Sequence, residues 1–182
     1  MSKLYDCFLT ELAGIYDVEK QMSKALPKLA EAAKHEELKS AFKSHRAETE
    51  EHASRLERVF AILGEKIPNR NSKAMRSLVT ESQESIEEEL GDAGLICAAQ
   101  RIEHYEIATY GCLRSWAQFL DQDEAANLLE ETLEEENAAD ELLTSLAVEL
   151  INLDAGELGG EEESEEDGER EHAAKGEKSA DD

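Results

Sequence analysis

The sequence predicts an all-α protein, a bundle of four long helices with one long crossover connection. The 182 residues include only two prolines and ten glycines, and good helix formers such as Ala, Glu and Leu are abundant. Apolar residues recur at helical spacing in four long segments, whereas no convincing alternating strand pattern appears. Two tight turns and one long connection join these segments, as in single-crossover bundles.

The predicted elements follow in order along the chain. The first helix spans 4–33, a second follows the turn at 34–37 and ends at Gly64, a third spans 93–120 and a fourth spans 124–153. A short helix at 73–90 lies within the crossover, and Asp121 or Asp123 is expected to cap the fourth long helix. This connectivity is ferritin-like.

The chain divides into a folded part and a tail. Residues 1–156 are expected to form the helical bundle domain. Residues 157–182 contain almost no large apolar side chain and many acids, a composition that predicts a disordered acidic tail. His172 lies in this tail and receives no site role.

Charge and cysteine content restrict the classes of partner and compartment. The formal net charge of -25 repels nucleic acid and anionic membranes, so metal cations are the expected partners. The three cysteines form no CxxC pair, which favours a reduced cytoplasm and small buried side chains over a disulfide framework. No segment is apolar enough for a membrane helix, so a soluble, cytoplasmic protein without membrane contact is expected.

Acidic and imidazole side chains interrupt the apolar stripes midway along the helices. The stretch "AAQRIEHYEIATYG" places Glu103 and Glu106 three residues apart on an inward stripe. A single shift of 87 residues carries Glu19 onto Glu106 and Glu48 onto Glu135, so the two hairpins resemble pseudo-repeats that share one carboxylate layer.

Several buried carboxylates at one level repel each other and lose hydration unless a cation lies between them. Two divalent ions, iron first and manganese second, would meet this requirement. The Glu-x-x-His spacing of di-iron bundles is imperfect, because His45 precedes Glu48 by three residues and no histidine follows Glu135. The candidate ligands are Glu19, His45, Glu48, Glu103, Glu106 and Glu135, with His52, Glu131 and His104 as a secondary set; His104 is expected to point away from the layer.

Each candidate also has a structural interpretation. Glu19 could lie at the bundle edge, His45 or His52 could be a satisfied boundary histidine, and Glu103 could pair with a neighbouring arginine. The whole layer could be an ion-pair network, although few bases lie on the inward stripes. The tyrosines are expected to pack in the core or at its boundary, with Tyr16 and Tyr110 flanking the layer; the full set is Tyr5, Tyr16, Tyr105 and Tyr110.

Four stretches resemble the YciE/YciF family of ferritin-like proteins: "DVEKQMSKALPKLAEAA", "HRAETEEHASRLERVF", "AAQRIEHYEIATYGCLRSWA" and "LLEETLEEENAADELLTSLA". The likeness extends over 4–153. It implies four long helices and a short one, a dinuclear metal site that is usually iron, a tendency to form homodimers, and a link to stress responses. By motif match it implies metal roles for Glu19, His45, Glu48, Glu103, Glu106 and Glu135.

The resulting functional hypothesis is a di-metal protein with ferroxidase or peroxide-consuming activity in stress response. The alternative is a metal-free helical interaction protein whose acidic layer is a satisfied polar network. The sequence identifies no catalytic residue, oxidant or organic substrate.

Overall fold

The computed structural model describes residues 2–87 and 91–153. The described part is all-helical and confirms the predicted class, with five α-helices and one π-helical turn: α1 (Lys3–Ala32), α2 (Glu36–Leu63), α3 (Lys73–Glu87), α4 (Gly91–Phe119), α5 (Asp123–Leu146) and the π-helical turn Ala147–Ile151. The acidic tail at 157–182 and His172 lie outside the described residues.

The four long helices form two antiparallel hairpins, α1/α2 and α4/α5. α1 packs on α2 and α4, and α5 packs on α4 and α2, so each long helix has two long neighbours around one core. α3 covers α1 and α4. The core is made of aliphatic and aromatic residues that recur at helical spacing, including Phe8, Leu12, Phe42, Leu56 and Leu113.

A carboxylate from α4 caps the start of α2. The N-cap residue of α2, His35, makes no side-chain capping hydrogen bond. Instead, the backbone N–H groups of Lys34 and His35 donate to the two carboxylate oxygens of Asp92, at 2.8 and 2.7 Å. Because Asp92 lies in the first turn of α4, α2 and α4 begin at the same end of the bundle. The connection through α3 therefore travels the full length of the bundle, as a crossover must.

The crossover is anchored near its start. The Asp17 carboxylate on α1 accepts from the backbone N–H of Ser72 at 2.8 Å, and the Ser72 hydroxyl caps the N–H of Met75 at 3.2 Å. Met75 is fully buried against the core. A side chain of α1 and one apolar anchor thus place α3 along the bundle.

Two local expectations from the sequence were wrong. Gln122, rather than Asp121 or Asp123, occupies the N-cap position of α5, and no side chain caps it. Asp121 instead takes a left-handed conformation with φ 56°, as the tight turn requires and as aspartate tolerates. The three cysteines, Cys7, Cys97 and Cys112, are exposed, because each lies on the outer side of its helix.

Asp92→Ala should lower the free energy of unfolding by about 2–3 kcal/mol, because two backbone donors lose a charged acceptor. Asp92→Asn should lose less, since one acceptor oxygen remains. Urea unfolding followed by circular dichroism measures both. The matched control is Asp123→Ala, an exposed aspartate in the first turn of α5, for which about 0.3–1 kcal/mol is expected. Equal losses for Asp92→Ala and Asp123→Ala would contradict the cap.

Candidate metal centre

Polar side chains fill the middle of the bundle where apolar residues would otherwise meet. All four long helices contribute to this buried group, and every member is at most 7% exposed. Its members are Glu19 from α1, His45, Thr49, His52 and Arg55 from α2, Glu103 and Glu106 from α4, and Thr132 and Glu136 from α5. Four of them are glutamates and two are histidines, so negative charge exceeds positive charge in this layer even when both imidazoles are protonated.

The ligand atoms form two clusters that share one glutamate. In the first, His52 Nδ1 lies 2.9 Å from Glu136 Oε1 and 3.7 Å from Glu19 Oε2. In the second, His45 Nε2 lies 3.3 Å from Glu103 Oε1 and 3.7 Å from Glu136 Oε2. Within each cluster the three ligand atoms lie within 4.8 Å of one another. Glu136 therefore presents one carboxylate oxygen to each cluster.

Glu106 lies beside both clusters and has no hydrogen-bond partner for either carboxylate oxygen. Burial raises its pKa well above the usual range, and the charges of Glu136 and Glu19 raise the pKa further. Glu103 Oε2 is likewise buried without a hydrogen-bond partner, whereas Glu19 Oε2 and the two Glu136 oxygens have the imidazoles of His45 and His52 within ion-pair distance. Such atoms cost free energy unless something fills the space between them.

The two histidines turn opposite ring nitrogens toward the buried acids. His45 turns Nε2 toward the buried acids, and its Nδ1 lies 3.2 Å from Oε2 of Glu48. His52 turns Nδ1 inward, and its Nε2 lies 2.8 Å from Oε2 of Glu135. Glu48 and Glu135 are roughly half-exposed, so each imidazole joins a buried cluster to an outer carboxylate. Metal-binding histidines commonly have such an outer carboxylate, which orients the ring and selects the tautomer.

Arg55 ties one outer carboxylate to the bundle. Its guanidinium donates to the two Glu135 oxygens at 2.7 and 3.1 Å and to the Thr132 hydroxyl at 2.8 Å. The Arg55 hydrogen bond lowers the pKa of Glu135 despite its partial burial, and the His52 contact acts in the same direction. Arg55 is a base on the inward stripe of α2. The sequence prediction missed this residue, although it follows His52 by three positions, a spacing that places both side chains on one face of the helix.

The pKa values of the imidazoles reflect the buried acids. Burial alone would lower the pKa of His52, but the adjacent carboxylates of Glu136 and Glu19 outweigh it and raise that pKa to about 10. The same balance, with Glu103 as the strongest opposing charge, raises the pKa of His45 well above its usual range. Tyr110 is fully buried, donates its hydroxyl hydrogen to Glu19 and has its pKa raised well above the usual range, first by burial and then by Glu19.

The residues present fit a pair of divalent ions. Each cluster offers one imidazole nitrogen and two carboxylates, the mixed donor set that suits iron or manganese. The shared Glu136 and the unpartnered oxygens of Glu106 supply further carboxylate oxygens between or beside the two positions. A self-sufficient ion-pair network would give Glu106 a basic partner, whereas both of its oxygens are buried without one.

The structure gathers most, but not all, of the sequence-predicted residues inside the bundle. Glu19, His45, Glu103 and Glu106 are buried there, together with His52 from the secondary set. The other predicted residues lie further out. Glu48 and Glu135 are the outer partners of the histidines, the side chain of Glu131 is 59% exposed with an oxygen 3.5 Å from Arg55, and that of His104 is 68% exposed near Asp140.

The expectation that Glu135 points inward was wrong by one residue, because Glu136 occupies the inward position. An inward Glu135 would share its helix face with Leu128 and Leu142, but the buried leucines are Leu129 and Leu143, while Leu142 is 48% exposed. An error of one position rotates every side chain by about 100°. The inward face of α5 is defined by buried residues that recur at helical spacing: Ala125, Leu129, Thr132, Glu136 and Leu143.

The structural alternatives for single residues are resolved by their contacts. Glu103 does not pair with a neighbouring arginine, since Arg101 lies 3.2 Å from Glu81 and Arg114 lies 2.6 Å from Glu130. Glu19 lies in the bundle interior and not at its edge. Among the flanking tyrosines, Tyr110 reaches the layer, whereas Tyr16 is half-buried and donates to Glu57 at 2.7 Å.

Residues 3–156 match a protein-family model described as a domain of unknown function, DUF892. The chain belongs to the DUF892 family. It is 43% identical over 160 residues to protein YciF of Escherichia coli K12, covering 85% of this chain and 96% of that protein. This family membership confirms the resemblance on which the sequence analysis relied.

Solved structures of similar proteins agree with the fold. The crystal structure of the E. coli stress protein YciF matches 84% of this chain and 99% of its own with a TM-score of 0.80 at 43% identity. YcfI of Rhodopseudomonas palustris, provisionally described as a structural protein, matches with a TM-score of 0.77 at 38% identity over 80% and 95% of the chains. A Xanthomonas campestris protein shares the fold with a TM-score of 0.67 at 21% identity, and the match covers 86% of this chain and 99% of that protein. None of the described helices is both long and apolar enough to cross a membrane.

Glu106→Leu should raise the free energy of unfolding of the metal-free protein by about 1–4 kcal/mol, because it replaces an unpartnered buried carboxylate with an apolar side chain of similar size. Chemical unfolding in the presence of a chelator measures the change. Glu134→Leu, an exposed glutamate on α5, is the control and should stay within about 0.5 kcal/mol. A large loss of stability in Glu106→Leu would mean that this carboxylate has a structural partner.

Proposed function

We propose that this protein is a ferritin-like di-metal protein that binds two divalent ions, preferably iron, and oxidises Fe(II) with O₂ or peroxide. The observation that carries the proposal is the pair of buried clusters joined by Glu136, with the unpartnered carboxylate of Glu106 beside them. Stress response is the expected setting, since the 43% identical E. coli relative is described as a stress protein.

The proposed ligands divide between the two positions. Glu19 and His52 would hold one ion, His45 and Glu103 the other, and Glu136 would contribute to both. Glu106, beside both clusters, would supply its free oxygens to either ion. Glu48 and Glu135 would keep the lone pairs of His45 and His52 directed inward by binding the opposite ring nitrogens.

Bound iron would supply the redox chemistry, the oxidation of Fe(II) coupled to the reduction of O₂ or peroxide. The chain itself limits the contact of the site with solvent, because the helices bury every proposed ligand. Tyr110 donates a hydrogen bond to Glu19 and so favours one orientation of that carboxylate.

The metal-free interaction protein stays the second candidate, favoured by the provisional structural description of the R. palustris relative. In that case the main role of the polar layer would be to hold α2 against α5 through the ion pair between Arg55 and Glu135. The two candidates differ in what metal does to stability, so one set of variants distinguishes them.

Metal titration should give two Fe(II) or Co(II) ions per chain in the parent and a gain in unfolding free energy of about 2.7 kcal/mol for each occupied site at a free-metal concentration of 100 Kd. Glu136→Ala should abolish high-affinity binding at both positions, because it removes the shared carboxylate. Anaerobic calorimetry and thermal unfolding measure these effects.

The neighbouring glutamates of α5 provide matched controls for Glu136→Ala. Glu134→Ala should change neither stoichiometry nor affinity, since Glu134 is exposed. Glu135→Gln should keep two ions but weaken binding about 10–100-fold, because it alters the partner that orients His52. A parent protein that takes up no metal and gains no stability would refute the di-metal proposal and favour the interaction protein.

Anaerobically Fe(II)-loaded protein should gain near-ultraviolet absorbance when O₂ or hydrogen peroxide is added, as Fe(III) forms on carboxylate ligands. Stopped-flow spectroscopy measures the rate, and free Fe(II) at the same concentration provides the baseline. Glu136→Ala should fall to that baseline, whereas Glu134→Ala should match the parent. Metal uptake without faster oxidation would restrict the function to metal binding.

A further inference from the structure

A pocket of about 190 Å³ opens between α2 and α5 and ends at one of the two clusters. Its walls are mainly apolar, and the polar residues His45, Glu48, Glu103 and Glu135 are grouped along one part of it. The apolar lining comes from Ala41 and Phe42 on α2 and from Ala138, Ala139, Leu142 and Leu143 on α5.

The pocket reaches only one end of the buried layer. His45 and Glu103 line it, whereas Glu19, His52, Glu106 and Glu136 do not. Glu19 and His52 are fully buried, and the ion pair between Arg55 and Glu135 lies beside His52. A molecule entering from solvent through this pocket therefore meets the His45–Glu103 end first.

The size of the pocket suits a small organic molecule. Apolar protein cavities of about 150 Å³ bind benzene or xenon and otherwise stay dry. This pocket is larger, and its aliphatic and aromatic walls offer water few hydrogen bonds. An occupant the size of one aromatic ring or a short alkyl chain would fill it.

The charges around the pocket select against anions. Glu48 and Glu135 both line the pocket, and both carboxylates are already paired. Glu48 is paired with His45, and Glu135 is paired with Arg55 and His52. An anionic ligand would approach three carboxylates, those of Glu48, Glu103 and Glu135. No lining residue offers it an unpaired positive charge. A strongly hydrated cation would lose its water to apolar walls.

We propose that this pocket binds a small neutral molecule with an apolar body and delivers its polar end to the His45–Glu103 end of the metal centre. The inference extends the proposed function, because it makes the two metal positions unequal: one is reached from solvent by an organic ligand and the other is enclosed by protein. The ligand class is neutral alcohols or aldehydes of about ring size, in contrast to carboxylates.

The experiment uses benzyl alcohol as the neutral probe and benzoate as an anion of similar size, each titrated into the full chain without metal and with Co(II). Binding is followed by two-dimensional amide NMR of the metal-free protein and by the visible spectrum of the Co(II) form. Benzyl alcohol should shift amides around Ala41 and Ala139 and perturb the Co(II) spectrum. Benzoate should bind at least tenfold more weakly than benzyl alcohol to the metal-free protein.

Two variants fill the pocket from opposite walls. Ala139→Leu on α5 and Ala41→Leu on α2 should each weaken benzyl alcohol binding at least tenfold while Co(II) uptake stays at the parental level. Ala47→Leu, an exposed alanine on α2 outside the pocket, is the matched control and should bind as the parent does. Because the two fillings act from different helices, misfolding of one leaves the other to decide.

The outcomes separate this inference from the di-metal proposal. Absence of benzyl alcohol binding, binding unaffected by both fillings, or tighter binding of benzoate would overturn the pocket assignment even if Co(II) binds. Binding to the pocket with an unchanged Co(II) spectrum would overturn delivery to the centre. Failure of Co(II) uptake would refute the metal centre, while the metal-free NMR titration would still test the pocket.

Discussion

The structure depends on a concentration of negative charge in the middle of an otherwise apolar bundle. Glu19, Glu103, Glu106 and Glu136 are nearly inaccessible to solvent, and His45 and His52 are the only imidazoles among the described residues that contact them. Carboxylates in such a place repel each other and lack water, so the helices around them must be held together by other interactions. The apolar residues on either side of it, with Phe8, Leu12 and Leu113 toward one end of the bundle and Phe42 toward the other, provide this stabilisation.

The outer part of the layer explains how the inner part keeps its geometry. Each histidine has one nitrogen toward the buried acids and the other on a half-exposed glutamate, and Arg55 fixes one of those glutamates to α2. Oriented imidazoles and unpartnered carboxylate oxygens together resemble a ligand set more than a self-sufficient ion-pair network. Buried carboxylates without partners lower stability, and such a loss of stability is typical of functional positions.

The sequence was informative where the periodicity was strong and less so where it was not. Helix composition and the two hairpins led to the bundle, and the interrupted stripes led to Glu19, His45, Glu103 and Glu106. The phase of α5 was misread, because "LLEETLEEENAADELL" offers adjacent leucines and glutamates that satisfy two helical stripes equally well. The cap of α2 was missed for a different reason: Asp92 is 57 residues from His35 in the chain, and no local pattern links them.

The sequence by itself determined the all-helical class, the crossover order and the presence of an inward acidic layer, because these follow from local periodicity and from turn residues that need no distant partner. Only the tertiary structure decided which of the adjacent glutamates Glu135 and Glu136 faces the core, and that Glu48 and Glu135 support the histidines from outside. The packing of α5 against α2 and α4 sets the rotation of that helix, and about 100° of rotation distinguishes an outer partner from a shared inner carboxylate.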